Sequence, residues 1–293
     1  MSDIMERIEA LRREALARVR NSELEHALGL FDEALALDPD EELRELIVIN
    51  KADVLITMET AGPEIQELPR IIMRRRNLRH VYLAAYALQF KHRLDGDARR
   101  SIFYGQQALQ IAEEALQPEW KRMVLIELGN ALEMDYQISE AIEHYEAALA
   151  FDAESPDNRD RQLSFGYALE NIGYCKLLQG FHDEGVAFIH RAMEYINDPF
   201  GLAEAAVDLC YGYLELGNID LAREHGRRGL SIAVDSRQIR NSHYLLGEAA
   251  YKAGDTQGAE YHFDQLATFY PEFKHLKSLL YAIDLRGLVN LKL

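Results

Sequence analysis

The sequence predicts an all-α fold in which pairs of helices stack side by side into an α-solenoid. Three observations lead to this prediction. The 293 residues include only 7 prolines and are rich in alanine, leucine and glutamate, a composition that favours helices. Similar stretches recur along the chain, among them GNIDLAREHGRRGLSIAV at 217–234 and GDTQGAEYHFDQLATFYP at 254–271. Small residues take matching positions in these stretches, which indicates helices that approach one another closely.

Each recurring unit reads as two helices joined by a tight turn. In unit 240–273 the marker positions hold Gly247, Gly254, Ala259, Phe263 and Pro271. The other clear units are 122–155, 166–199 and 203–236, and weaker ones are 8–41 and 82–115. Segment 42–81 contains two helical patterns that Pro63 and Pro69 interrupt, so its repeat is degenerate and its boundaries stay open.

These markers resemble the tetratricopeptide repeat (TPR) family, whose 34-residue pattern is W-x2-L-G-x2-Y…A-x3-F-x2-A…P. This chain never has tryptophan at the fourth position of a unit. The resemblance implies a right-handed superhelix with a concave groove. It predicts a single solenoid over 1–293, with weaker, partly degenerate repeats in 1–115, clear repeats in 122–273 and a capping helix at 274–293.

The predicted capping helix would cover the apolar outer face of the last repeat, which has no further neighbour. Leucine and valine crowd its last six residues, LVNLKL. Docking on a second chain, fraying and packing within its own chain are therefore all open for this segment.

In the resembling family the first helix of each repeat lines the groove. Carried over, this implies a groove rich in tyrosine, asparagine and acids, with Glu133 at one such position. Tyrosine offers contact area, asparagine can hold a peptide backbone, and carboxylates favour lysine or arginine on the ligand. In the alternative interpretation the tyrosines pack between repeats and the acids only keep the surface soluble. The candidate partner-binding residues are Glu127, Asn130, Tyr167, Glu170, Asn171, Tyr174, Glu204, Asp208, Tyr211, Asn241, Tyr244 and Glu248.

A basic segment at 70–100 contrasts with the formal net charge of −17. Its run MRRRNLRH makes a candidate second interaction patch of Arg74, Arg75, Arg76 and Arg79. The patch could bind phosphate, an acidic peptide or the acidic half of a second molecule, and the last case would give a homo-oligomer. A solvated helix face is the alternative interpretation.

Several classes of function lack a sequence signal. The net charge argues against a nucleic-acid partner, and two cysteines are too few for a disulfide framework or a cysteine-rich zinc site. The chain has no phosphate-binding loop, nucleophile elbow or H-E-x-x-H motif, and no two histidines are three or four residues apart. We therefore expect no enzymatic activity, cofactor or metal.

Apolar runs are too short for a membrane span, and the start MSDIMERIEALRREAL lacks the apolar core of a secretory signal. These features predict a cytoplasmic protein that does not associate with membranes. The sequence as a whole predicts a scaffold or adaptor that binds a protein or peptide. Two alternatives remain open: a peptide-responsive regulatory sensor, and a self-assembling structural subunit that uses the basic patch or the C-terminal helix.

Overall fold

The computed structural model describes residues 2–152, 159–270, 278–282 and 291–292. Over these ranges it contains α-helices and no β-strand, which confirms the all-α prediction. Contacts within the chain separate it into two compact units, residues 1–131 and 132–293. The division falls inside the helix Pro118–Met134.

Unit 1 is built from consecutive helix pairs. Its elements are α1 (Ser2–Arg20), α2 (Leu24–Ala36), α3 (Glu41–Thr57), α4 (Pro63–Arg74), α5 (Leu78–Leu94), α6 (Ala98–Glu114) and the larger part of α7 (Pro118–Met134).

The segment predicted as a degenerate repeat forms a complete helix pair, α3 and α4. Pro63 lies at the N-terminus of α4, where its missing N–H group costs nothing, while Pro69 lies inside the helix. The turn between α3 and α4 places Glu59 at φ 52°, where several other turns have glycine, as at Gly180 with φ 84°. The two prolines that make the repeat look degenerate in sequence therefore do not prevent the helix pair.

Buried apolar side chains hold unit 1 together from one pair to the next. Phe31 on α2 is fully buried among residues of α1, α2 and α3, and Leu68 on α4 packs with residues of α3 and α5. The only tryptophan of the chain, Trp120, stacks on Tyr82 with ring centroids 4.6 Å apart. The Tyr82 hydroxyl also donates a hydrogen bond to the Trp120 carbonyl at 3.1 Å.

Unit 2 continues the same construction. Its elements after α7 are α8 (Ile138–Asp152), α9 (Arg159–Leu178), α10 (His182–Ala192), α11 (Pro199–Glu215), α12 (Ile219–Ile232), α13 (Ser236–Lys252) and α14 (Thr256–Leu266). Buried residues of α9 to α14 form one apolar core that includes Ile189, Leu209 and Phe263.

Small residues permit the close packing inside these pairs, as the repeat pattern predicts. A Cβ atom added to Gly247 on α13 would lie 2.2 Å from the Phe263 ring on α14. A Cβ atom added to Gly173 on α9 would lie 2.9 Å from the Gly185 carbonyl oxygen on α10. Each distance is too short for a side chain, so glycine sets the separation of the two helices.

The predicted capping helix at 274–293 lies largely outside the described residues. Residues 278–280 are helical, and Leu280 is buried in the core of unit 2. The neighbouring Tyr281 ring lies 5.3 Å from Phe263 and 5.2 Å from Tyr251, in edge-to-face contacts. Tyr281 therefore packs on the last helix pair of its own chain.

Candidate functional site

Five of the predicted residues of unit 2 surround the chain's own residues 291–292. They are Glu170 and Tyr174 on α9, Glu204 and Asp208 on α11, and Asn241 on α13, and we call them the acidic face. Spacings of four residues along α9 and α11 put each pair on one side of its helix. All five are buried, with at most 6% of their surface exposed.

Three carboxylates of the acidic face hold the ammonium group of Lys292. Its Nζ atom lies 2.5 Å from Glu170 Oε1, 2.9 Å from Asp208 Oδ2 and 3.3 Å from Glu204 Oε2. The same atom lies 5.1 Å from the centre of the Tyr174 ring, in a cation–π contact. Three carboxylates and one aromatic ring therefore bind a single lysine head group.

Polar side chains bind the backbone of the preceding residue, Leu291. Its N–H group donates to the Tyr174 hydroxyl oxygen at 2.8 Å. Its carbonyl oxygen accepts from Asn241 Nδ2 at 2.5 Å and from Arg237 Nη1 at 3.3 Å. The Leu291 side chain is buried in the apolar core of unit 2.

Glu204 is held in place by further contacts from α13. Arg237 Nη1 lies 3.0 Å from Glu204 Oε2, and Gln238 Nε2 donates to Glu204 Oε1 at 2.7 Å. Burial alone would raise the pKa of Glu204, but Lys292 and Arg237 outweigh it and hold the pKa below its ordinary value. Lys292 and Arg237 therefore keep Glu204 in its charged form.

The remaining charges at the acidic face depend on one another. Burial raises the pKa of Asp208 well above its ordinary value, although the Lys292 charge opposes this shift. Burial also disfavours the charge of Lys292, yet Asp208, Glu170 and Glu204 together raise its pKa well above the ordinary value. The carboxylates favour the lysine cation, and without a cation nearby they would repel one another.

A fourth acid, Glu133 on α7, lies close to this cluster. It accepts hydrogen bonds from the Tyr145 hydroxyl at 3.4 Å and from the Cys175 thiol at 3.8 Å. Burial raises the pKa of Glu133 to about 7, with Glu170 adding to the shift and Lys292 opposing it. The sequence prediction placed Glu133 at a groove position, and the structure brings it within electrostatic reach of Lys292.

Other predicted residues of unit 2 lie beside the acidic face. Tyr211 is buried on α11, with its ring centroid 6.4 Å from that of Tyr174. Tyr244 and Glu248 are buried on α13, and Asn171 is half-buried on α9. Tyr167 donates its hydroxyl to Asp198, with oxygen distances of 2.9 and 3.0 Å.

Two predicted groove residues, Glu127 and Asn130, belong to unit 1. Glu127 forms an ion pair with Arg93, with 2.9 Å between Oε2 and Nε. Asn130 is half-buried on α7. The predicted residues that contact Lys292 and Leu291 at the acidic face lie on α9, α11 and α13.

The predicted arginine patch lies on α4, α5 and the turn between them, and acids from outside segment 70–100 neutralise much of it. Arg74 pairs with Glu67 at 2.8 Å and with Glu45 at 3.5 Å. Arg75 pairs with Glu114, and Arg76 pairs with Glu41. Arg79 is exposed. The excess of positive charge along the sequence is thus smaller on the folded surface.

Sequence reasoning missed Arg237, Gln238, Leu291 and Lys292 as members of this site. Arg237 could have been found, because it precedes Asn241 by one helical turn. Lys292 could not, because it meets Glu170 across a separation of 122 residues.

The structure also joins two histidines that the sequence leaves 19 residues apart. His243 Nδ1 on α13 lies 3.0 Å from His262 Nδ1 on α14. Burial lowers the pKa of His262 to about 4, and His243 and Arg227 add to the shift. Across the described residues, no group of three or more histidine, cysteine, aspartate or glutamate side chains could hold a metal ion.

None of the helices in the described part of the chain combines the length and apolar character of a membrane span.

No protein-family model and no curated protein matches this sequence.

Solved structures do match the fold. The apo form of the quorum sensor NprR from B. thuringiensis aligns with 95% of this chain and 81% of its own, with a TM-score of 0.74 and 13% identity. NprR in complex with its cognate peptide NprX aligns with 94% of this chain and 82% of its own, with a TM-score of 0.68 and 13% identity.

A signal transduction ATPase with a tetratricopeptide repeat sensor, PH0952 from Pyrococcus horikoshii, aligns with 93% of this chain. The match covers 43% of that protein, with a TM-score of 0.69 and 16% identity. These likenesses confirm the predicted fold, an α-solenoid of tetratricopeptide type.

Proposed function

We propose that the acidic face binds a protein or peptide segment that carries a lysine. The observation that supports this proposal is the seating of Leu291 and Lys292. Tyr174 and Asn241 meet the N–H and carbonyl groups of one residue, and three carboxylates meet the ammonium group of the next. A segment from another protein that has the same groups can make the same contacts.

The likeness to NprR supports the same class of function, because that protein forms a complex with a peptide on a similar fold. Backbone contacts give affinity for any peptide, whereas the carboxylates select a cation. Lysine suits this arrangement because its ammonium group is a compact charge with three donors.

Selection from a library of random twelve-residue peptides tests the proposal. Peptides are selected for binding to the full chain and to its Lys292→Ala variant. Their binding to a Glu170→Gln/Asp208→Asn variant, the counter-target, is then compared. We expect enriched peptides that contain lysine and bind at least about tenfold more weakly to the counter-target, since a charge-assisted contact contributes on the order of 1.5–3 kcal/mol. Enriched peptides without lysine, or with equal affinity for all three proteins, would contradict the proposal.

A peptide-responsive sensor is the second candidate, favoured by the likeness to the quorum sensor NprR. A sensor requires that the ligand stabilise one conformation over another. Hydrogen exchange with and without a selected peptide distinguishes the candidates. Changed protection in helices that do not contact the ligand favours a sensor, and changes confined to α9, α11 and α13 favour a scaffold.

A self-assembling subunit remains a prediction from the sequence. The ion pairs of Arg74, Arg75 and Arg76 within unit 1 leave fewer charges for a second molecule. Light scattering at low and high salt tests this alternative. A mass above that of one chain at low salt, lost at high salt, would support assembly through charges.

A further inference from the structure

We infer that residues 291–292 act as an internal ligand, and that an external lysine-containing segment binds the acidic face only by displacing them. This inference rests on the proposed function and deepens it. It also specifies the ligand as an apolar residue followed directly by lysine.

Residues 291–292 contact the acidic face through the backbone of one residue and the side chain of the next. The N–H and carbonyl groups of Leu291 are bound by Tyr174 and Asn241, both contributed by the face. The acidic face therefore satisfies the backbone groups of one specific residue.

The charge balance favours a replacement cation when Lys292 leaves. Glu133, Glu170, Glu204 and Asp208 are each at most 6% exposed, and Arg237 bonds to Glu204 among them. Removal of Lys292 leaves these carboxylates close together with little water to screen them. An incoming segment without a cation would leave the same imbalance, so a segment whose lysine takes the place of Lys292 is favoured.

The apolar position is specified by the burial of Leu291. Its side chain is 3% exposed and belongs to the core formed by α9 to α14. A competing segment must fill this space, or it leaves a cavity that costs a few kcal/mol. A polar residue before the lysine would be buried there without a partner.

An internal ligand lowers the affinity for any external one. A tethered segment is present at an effective concentration of about millimolar, which no free peptide of ordinary abundance matches. The apparent dissociation constant equals the intrinsic one divided by the fraction of molecules whose face is uncovered. Release of the segment would therefore increase binding without any change in the face itself.

The test uses a fluorescent synthetic peptide of residues 284–293, DLRGLVNLKL, and the full chain. Fluorescence anisotropy measures the affinity of this peptide for wild type and for Lys292→Ala. We expect at least about tenfold tighter binding to Lys292→Ala, because its own segment no longer competes effectively. A second peptide, in which norleucine replaces the lysine, should bind neither protein.

Two variants control for the loss of a positive charge and for misfolding. Lys252→Ala removes a lysine from the exposed end of α13 and should bind the peptide as wild type does. Lys292→Arg keeps a cation at the face, so residues 291–292 should still cover it and the affinity for the peptide should stay as low as that of wild type. Circular dichroism of each variant establishes that its helix content is unchanged.

Equal affinity of wild type and Lys292→Ala for the peptide would overturn the inference. So would a dimer of wild type in sedimentation velocity that Lys292→Ala abolishes, because the segment would then occupy a second copy. The proposed function is judged separately by the peptides selected from the random library. If such peptides bind wild type and Lys292→Ala with equal affinity, the proposed function is supported and the inference of an internal ligand is contradicted.

Discussion

Glu133 links the acidic face to the stability of the fold through its protonation. Its pKa is about 7 in the folded protein, against an ordinary value of 4.5, because burial disfavours the charged form. Between these two values an unfolded chain releases the proton that the folded chain keeps. The free energy of unfolding should therefore decrease as pH rises through this window.

Replacement of Glu133 by glutamine should remove this contribution. The difference in unfolding free energy between wild type and Glu133→Gln should shift by up to about 3 kcal/mol from pH 4.5 to pH 7, wild type losing stability as pH rises. Urea denaturation at several pH values measures it. Glu140→Gln, at an exposed position of α8, should follow wild type. A difference between wild type and Glu133→Gln that does not change with pH would contradict the assignment.

The sequence predicts those parts of the acidic face that lie together on a single helix. Glu170 and Tyr174, like Glu204 and Asp208, are spaced by one helical turn, so periodicity alone places each pair on a common side. Lys292 contacts Glu170 across 122 residues of sequence, which no local pattern encodes. The acids predict a cation beside them, but they do not indicate that Lys292 of the same chain supplies it.

At the level of helices, glycines differ in whether another helix packs against them. A Cβ atom on Gly247 would overlap the ring of Phe263, which is fully buried on α14. A Cβ atom on Gly29 would meet nothing within 4 Å, on the exposed side of α2. The first glycine determines how closely α13 and α14 approach, and the second only weakens its helix.

The two substitutions by alanine should therefore have opposite effects. Gly247→Ala should destabilise the protein by about 1–3 kcal/mol, because the helix pair must separate or the ring must move. Gly29→Ala should stabilise it by about 0.5–1 kcal/mol, because alanine favours the helix. Urea denaturation followed by circular dichroism measures both. If Gly247→Ala left the free energy of unfolding unchanged, α14 would have to move away from α13 at little cost.

The helix pairs themselves could be predicted wherever the marker residues follow the tetratricopeptide pattern. Helices α13 and α14 match unit 240–273, since Gly247, Gly254 and Phe263 all take their expected places. The pair α3 and α4 escaped clear assignment because Pro63 and Pro69 interrupt the sequence pattern, whereas the structure holds Pro69 inside α4. There the neighbouring pairs stabilise a conformation that the local sequence does not favour.

At the level of the whole chain, stability should follow the division into two units. In an array of repeats each pair contacts mainly its neighbours, so a lost contact weakens the structure locally. Phe31 is buried among α1, α2 and α3, and Phe263 is buried in the core of unit 2. These two phenylalanines offer matched sites, one in each unit.

Removal of each ring should therefore affect a different half of the protein. Phe31→Ala should reduce the free energy of opening in α1–α3 by about 3–5 kcal/mol and leave the amides of α11–α13 unchanged. Phe263→Ala should give the reverse. Hydrogen exchange detected by mass spectrometry resolves the two regions. A uniform loss of protection throughout the chain in either variant would show a single cooperative unit instead.

The stacking of Trp120 on Tyr82 gives the molecule a built-in optical label. Indole emission depends on the immediate surroundings of the ring, and the only indole lies in unit 1. The residues around Leu291 and Lys292 carry tyrosine and no tryptophan. Tryptophan emission excited at the red edge of indole absorption therefore reports the unfolding of unit 1 alone. Binding or release at the acidic face should leave this emission unchanged.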